Sequence, residues 1–159
     1  MIHSYNKYIS ELNSFYNCAD HLAQTDYYKS ILVCGGRDYK NKERLYEVLD
    51  SFKHTLEIVE IIHGAAKGAD SLAGQWAKSR GIKETPEPAN WRPYEDKSII
   101  DYGAGPKRNQ KMLAEYYPDI VLAFKGGNGT RDMVKRSDSQ GFDVVTVDWV
   151  YETQQPFLL

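Results

Sequence analysis

Three short stretches, "CGGRDY" (34–39), "HGAAKGAD" (63–70) and "KGGNGT" (125–130), each place glycines directly after an apolar run. In "KGGNGT" the apolar residues "VLAF" precede the loop, and residues at helical spacing follow it. A strand-to-helix junction of this kind leaves backbone N–H groups uncovered at a helix start, where anions bind. Gly126, Gly127 and Gly129 carry no Cβ, so a phosphate can approach the backbone closely. Thr130 adds a hydroxyl, Lys125 a full positive charge, and the helix dipole a partial one. The bland alternative is a tight turn with no ligand. The Walker pattern is absent, which removes the case for ATP hydrolysis of that type.

In "CGGRDY", Gly35 and Gly36 free the backbone, Arg37 can fork onto phosphate or carboxylate, and Asp38 can accept from a ribose or base. Arg37 and Asp38 can equally pair with each other. "HGAAKGAD" offers Gly64, Lys67 as a phosphate donor, and Asp70 either as a ligand contact or as a helix cap. His63 reads as a satisfied strand-end histidine ahead of a catalyst. "GAGPKRNQKM" (103–112) places Arg108 and Asn109 at a helix opening, with Pro106 suited to the first helical position. Trp91 either stacks on a base or covers the sheet edge.

Elements must position these residues, and their order is regular. Residues 2–24 carry Ile2, Tyr5, Ile9, Leu12, Phe15, Tyr16, Ala19 and Leu22 at three- and four-residue steps, predicting an amphipathic helix. From residue 30 onward, apolar strands alternate with helices. Strands are expected at "SILVC", "LEIVEIIH", "DIVLAF" and "DVVTVD", with "IKETP" as a weaker edge strand because of its proline. Helices are expected at "NKERLYEVLDSFKH" with Asn41 as N-cap, "KGADSLAGQWAKSRG" closed by Gly81, "KRNQKMLAEYY" stopped by Pro118, and "GTRDMVKRSDSQ" ended by Gly141. This alternation predicts an α/β protein, a Rossmann-like open parallel sheet with helices on both faces, plus an N-terminal helical extension. In such sheets ligands bind beyond the strand carboxyl ends, so the three glycine loops are expected to converge. The domain division read from this pattern is 1–29 for the extension, 30–147 for the nucleotide-binding domain and 148–159 for a tail.

The 159 residues are 42% apolar and 26% charged, ordinary for one globular domain. A net charge of −2 gives no global case for a polyanion partner, so nucleic-acid binding is disfavoured. Cys18 and Cys34 are the only cysteines and fit buried thiols in a reducing compartment. No signal-peptide pattern opens the chain, and no apolar run approaches the ~18 residues needed to span a bilayer. The expectation is a cytoplasmic protein with no membrane partner, no metal and no cofactor. The N-terminal stripe, if left exposed, favours a homo-oligomer.

Together "ILVCGGRDY", "IIHGAAKGADSLAGQWAKSRG", "AGPKRNQKML" and "VLAFKGGNGTRDMV" resemble, in order and spacing, the YspA-like branch of the SLOG superfamily. The resemblance covers about residues 30–147. It implies a Rossmann-like fold with a nucleotide-related ligand, for example an ADP-ribose-type signal, at the glycine loops. The wider superfamily includes DNA-processing A-like proteins and the Lonely Guy phosphoribohydrolases. The latter carry PGGxGTxxE and a catalytic arginine four residues before a methionine. Arg108 and Met112 keep that second spacing, but Lys125 replaces the proline and Met133 the glutamate. Asp132 stands one position earlier, and one residue along a helix turns a side chain by ~100°. The leading expectation is therefore a binder that senses or sequesters a nucleotide-derived molecule. The alternative is an N-glycosidic hydrolase acting on a nucleoside monophosphate or related nucleotide, with Arg108 and Asp132 as its catalytic residues.

Overall fold

The computed structural model describes residues 1–16 and 28–152. Its elements run β1 (Ile2–Ser4), α1 (Tyr5–Tyr16), β2 (Tyr28–Cys34), α2 (Lys42–Thr55), β3 (Glu57–His63), α3 (Ala69–Ser79), β4 (Lys83–Pro86), α4 (Ala104–Tyr116), β5 (Ile120–Phe124), α5 (Asn128–Ser139) and β6 (Asp143–Val147). All six strands pair in parallel in the order β1-β6-β5-β2-β3-β4.

Alternation along each strand divides the core in two, because successive side chains leave opposite faces of a sheet. Ile31, Val33, Leu122, Phe124 and Val145 meet α2 and α3 through Leu45, Val48, Phe52, Ala73 and Trp76. Leu32, Cys34, Val121, Ala123 and Val144 meet α4 and α5 through Met112, Leu113, Met133 and Val134. Pro86 ends β4 at the sheet edge, where a missing N–H costs nothing. Asn41 caps α2 by accepting from the Arg44 N–H at 3.1 Å.

The N-terminal helix begins later than the stripe predicts. Residues 2–4 are extended and pair with Val144, Val145 and Thr146 of β6, so the start of the chain is an edge strand of the sheet. A three-residue strand is too short for its period to be told from that of the following helix. From Tyr5 to Tyr16 the helix forms, and Tyr5, Tyr8, Ile9, Leu12 and Tyr16 pack against the α2 and α3 face of the core. Burial and nearby carboxylates push the Tyr8 hydroxyl up to about 12. The premise for self-association, an uncovered stripe, therefore fails for these five residues. Ala19, Leu22 and Cys18 lie outside the described residues. Two further boundaries differ. β2 starts at Tyr28, and α4 starts at Ala104, which makes Pro106 its third residue rather than its first.

The chain steps β2–β3–β4 toward one edge, then crosses to β5 and β6 on the other side of β2. The order reverses between β2 and β5. Their outgoing loops lie side by side there, with the Gly36 N–H on the Lys125 carbonyl at 3.0 Å. Among the described residues, no helix is long and apolar enough to cross a membrane.

Candidate functional site

At this reversal, beyond the carboxyl ends of β2, β3 and β5, lies a cavity of about 540 Å³. One wall is the start of α5. Gly127 is its N-cap position, no side chain caps it, and the first return bond runs from the Arg131 N–H to the Gly127 carbonyl at 3.1 Å. The N–H groups of Asn128, Gly129 and Thr130 thus precede the first helical bond, and all three residues line the cavity. Thr130 is 5% exposed, and its hydroxyl has no hydrogen-bond partner among the described residues. A Cβ at Gly127 or Gly129 would meet nothing within 4 Å. Gly126 differs. A Cβ there would lie 2.2 Å from the Thr130 Oγ1 and 2.6 Å from the Gly36 N, so its glycine serves loop packing and lies outside the cavity wall.

The adjoining wall comes from α4. Arg108 crosses to the β3 loop, where its Nη1 donates to the Gly64 carbonyl at 2.5 Å and to the Glu87 carbonyl at 3.4 Å. Its Nε donates to Asn109 Oδ1 at 3.1 Å. Burial pulls the guanidinium below the usual arginine range, against the opposing pull of Asp70. Asn109, buried, donates in turn to Asp132 Oδ2 at 3.0 Å and to the Gly129 carbonyl at 3.3 Å. Its amide is thereby fully used, so it positions Arg108 and Asp132 rather than offering a free group. Arg136 holds the same Asp132 oxygen at 2.8 Å. Asp132 lines the cavity, while Met133 is buried in the core beneath α5. The one-residue shift from the phosphoribohydrolase pattern thus leaves a carboxylate, not a thioether, on the wall.

Arg37 and Asp38 stand at the mouth and do not pair with each other. Arg37 instead lies over the Trp91 ring, 5.7 Å from its centroid. The ring's far edge would sit 3.3 Å from a Cβ at Gly105, so it packs on the backbone at the start of α4. Trp91 therefore roofs the cavity between β2 and α4. On the floor, Asp70 does not cap its own helix. Its Oδ2 accepts from Ala66 N–H at 3.2 Å in the preceding loop, and burial pushes its carboxyl above the usual range. Lys67, from the same loop, is exposed and outside the cavity wall.

His63 is spoken for structurally. Its Nδ1 accepts the Ala65 N–H at 3.0 Å, so Nε2 carries the proton and donates to Glu84 at 2.7 Å. That contact is what holds Glu84 below its ordinary range. The acceptor at Nδ1 also fixes Ala65 at a φ of 57°, a left-handed conformation unusual for alanine.

Of the residues singled out by sequence, Gly35, Gly36, Arg37, Asp38, Gly64, Asp70, Trp91, Arg108, Asn109, Gly127, Gly129, Thr130 and Asp132 line one cavity. Sequence reasoning missed Cys34, Tyr102 and Asn128. Cys34 and Asn128 lie within the glycine stretches themselves and were within reach. Tyr102 gave no signal, being one of 12 tyrosines. Burial raises the Cys34 thiol well above its ordinary range, so it remains protonated. Among the described residues no three His, Cys, Asp or Glu side chains cluster to hold a metal.

Comparison with known proteins places this geometry. The model of the YspA, cpYpsA-related SLOG family matches residues 29–94, which carry β2, β3, β4 and two of the three glycine loops. The chain is 30% identical over 125 residues to the Gene 61 protein of Mycobacterium phage D29, an overlap covering 74% of this chain and 94% of that protein. No solved structure matches. On the family model and this nearly full-length relative, the chain belongs to the YspA, cpYpsA-related SLOG family.

Proposed function

We propose that this protein binds a nucleotide or nucleotide-derived small molecule in the cavity, with a phosphate on the start of α5, and senses or sequesters it. One observation carries the reading. The Thr130 hydroxyl is buried without a hydrogen-bond partner among the described residues, beside three N–H groups that precede the first bond of α5. Buried polar groups are otherwise almost always paired, so this wall is built for an acceptor-rich ligand. A phosphate satisfies such donors and is favoured by the dipole. The cavity volume falls in the range of small-molecule sites, and Trp91 offers a flat ring at its roof.

Gly127→Val tests the reading, because the side chain enters open space in the fold yet occupies the phosphate position. Calorimetric titration with AMP and with ADP-ribose is expected to show about 30-fold weaker binding, or ~2 kcal/mol, from the clash and lost charge-assisted bonds. Unchanged affinity in a folded variant would place the phosphate elsewhere.

A second reading, N-glycosidic hydrolysis, is favoured by the Asp132 carboxylate on the cavity wall. On the binder reading, incubation with AMP or nicotinamide dinucleotides releases no more free base than the Arg108→Ala variant does. Base release that requires both Arg108 and Asp132 would replace binding with catalysis.

A further inference from the structure

We infer that Asp70 and Arg108 form a sugar-reading floor, so that the cavity selects a ribonucleotide with free 2′- and 3′-hydroxyls over its deoxyribose counterpart. This rests on the phosphate reading above and extends it to the class of ligand.

Asp70 is 6% exposed and lines the cavity. A carboxylate has about four lone-pair positions. Two backbone N–H groups, from Ala66 and Gly64, favour its charged form, and no side chain among the described residues donates to it. Acceptor capacity is therefore left over on a nearly buried oxygen pair, which asks for a donor. Arg108 stands on the other side of Gly64. A Cβ on that glycine would fall 2.4 Å from the Arg108 Nη1 and 3.0 Å from the Asp70 Oδ2. Its Nη1 and Nε are engaged with carbonyl oxygens, and its Nη2 donors have no acceptor among the described residues.

The floor thus presents unused acceptors and unused donors side by side. An anion there is repelled by Asp70, and a cation by Arg108. A neutral group that both donates and accepts suits both, and a vicinal diol supplies two such groups at adjacent carbons. In a nucleoside 5′-phosphate the diol lies between phosphate and base. The start of α5, the floor residues Asp70 and Arg108, and the Trp91 roof all line the one cavity.

The experiment compares AMP and UMP with their 2′-deoxy counterparts by calorimetry, on the wild type and on Asp70→Asn, with inorganic phosphate as competitor. Each ribonucleotide is expected to bind at least about tenfold more tightly than its deoxy form, the size of one lost hydrogen bond to a charged group. In Asp70→Asn that ratio is expected to fall below about threefold, while circular dichroism reports a folded chain. Equal binding of ribo and deoxy forms to the wild type would overturn this inference alone, as would a ratio that survives in Asp70→Asn. Direct binding of inorganic phosphate without nucleotide binding would do the same. If neither nucleotides nor phosphate bind, the phosphate reading fails and this inference falls with it.

Discussion

Gly64→Ala is a single added methyl group, and the structure says what it must displace. Its Cβ would lie 2.4 Å from Nη1 and 2.6 Å from Cζ of Arg108, distances no carbon can hold. An arginine end is ordinarily free to move aside. This one is half-buried and tied by its bond to the Gly64 carbonyl at 2.5 Å and its bond to Asn109 at 3.1 Å. Displacing it forfeits at least the short bond, worth about 1.5–3 kcal/mol as a charge-assisted one. Alanine gives back roughly 0.5 kcal/mol by restricting the unfolded chain. The net expectation is a loss of about 2 kcal/mol, or roughly 4–8 °C in Tm for a chain of this size. Urea denaturation followed by circular dichroism measures it. The decisive arm repeats the substitution in an Arg108→Ala background, where only the tight 3.0 Å approach to Asp70 Oδ2 remains and the cost is expected to fall below about 1 kcal/mol. If Gly64→Ala costs the same ~2 kcal/mol without the guanidinium, the close approach of Arg108 to this backbone is not what demands glycine.

Asp70 gives a pH signature. Burial raises its folded pKa above the ordinary 3.8, so the native state holds this proton longer than the unfolded chain. Its contribution is neutral below 3.8, becomes unfavourable as pH rises through the folded pKa, and is fully unfavourable above it. Asp70→Asn should therefore be more stable than wild type at pH 7, and urea midpoints should show that margin shrinking as pH falls toward the ordinary 3.8. Met133→Glu, which restores the phosphoribohydrolase acid in sequence, should not restore hydrolysis. It buries a carboxylate among Val121, Ala123 and Val144 and is expected to cost about 3–5 kcal/mol in chemical denaturation. Trp91→Ala should weaken AMP binding by about fivefold, near 1 kcal/mol of stacking, with little change in Tm, since the ring lies at the surface of the fold.

The parallel sheet was legible because its strands are buried on both faces and its helices are not. Runs such as "ILVC" and "IVLAF" admit no polar residue, while "NKERLYEVLDSFKH" repeats apolar positions at helical steps. The convergence of the glycine loops followed from the same pattern, since parallel strands put all their carboxyl ends at one edge. What stayed illegible was set by contacts distant in sequence. Ile2 belongs to the sheet only because β6, some 140 residues later, offers an unpaired edge at Val144. Asn109 looked like a ligand contact, yet Asp132 and Gly129 consume its amide.

The glycines themselves divide by the same test, and the division bears on function. Gly64 and Gly126 are glycine because a protein atom already fills the space where a Cβ would stand, Arg108 and Thr130 respectively, while at Gly105 the Trp91 ring lies a tight 3.3 Å from that position. Gly127 and Gly129 face nothing within 4 Å. Gly127 has a φ of −95° and a ψ of −145° at the N-cap position of α5. Glycine at 127 stands beside uncovered N–H groups and a buried hydroxyl that is unpaired among the described residues, and on the proposed binding it leaves room there for a phosphate. The packing glycines build the frame around that room: Gly64 lets Arg108 cross to the floor, Gly105 lets Trp91 lie as the roof, and Gly126 lets the β5 loop close on the β2 loop. The motif therefore encodes a container and its opening in the same residue type, and only the surrounding atoms separate the two.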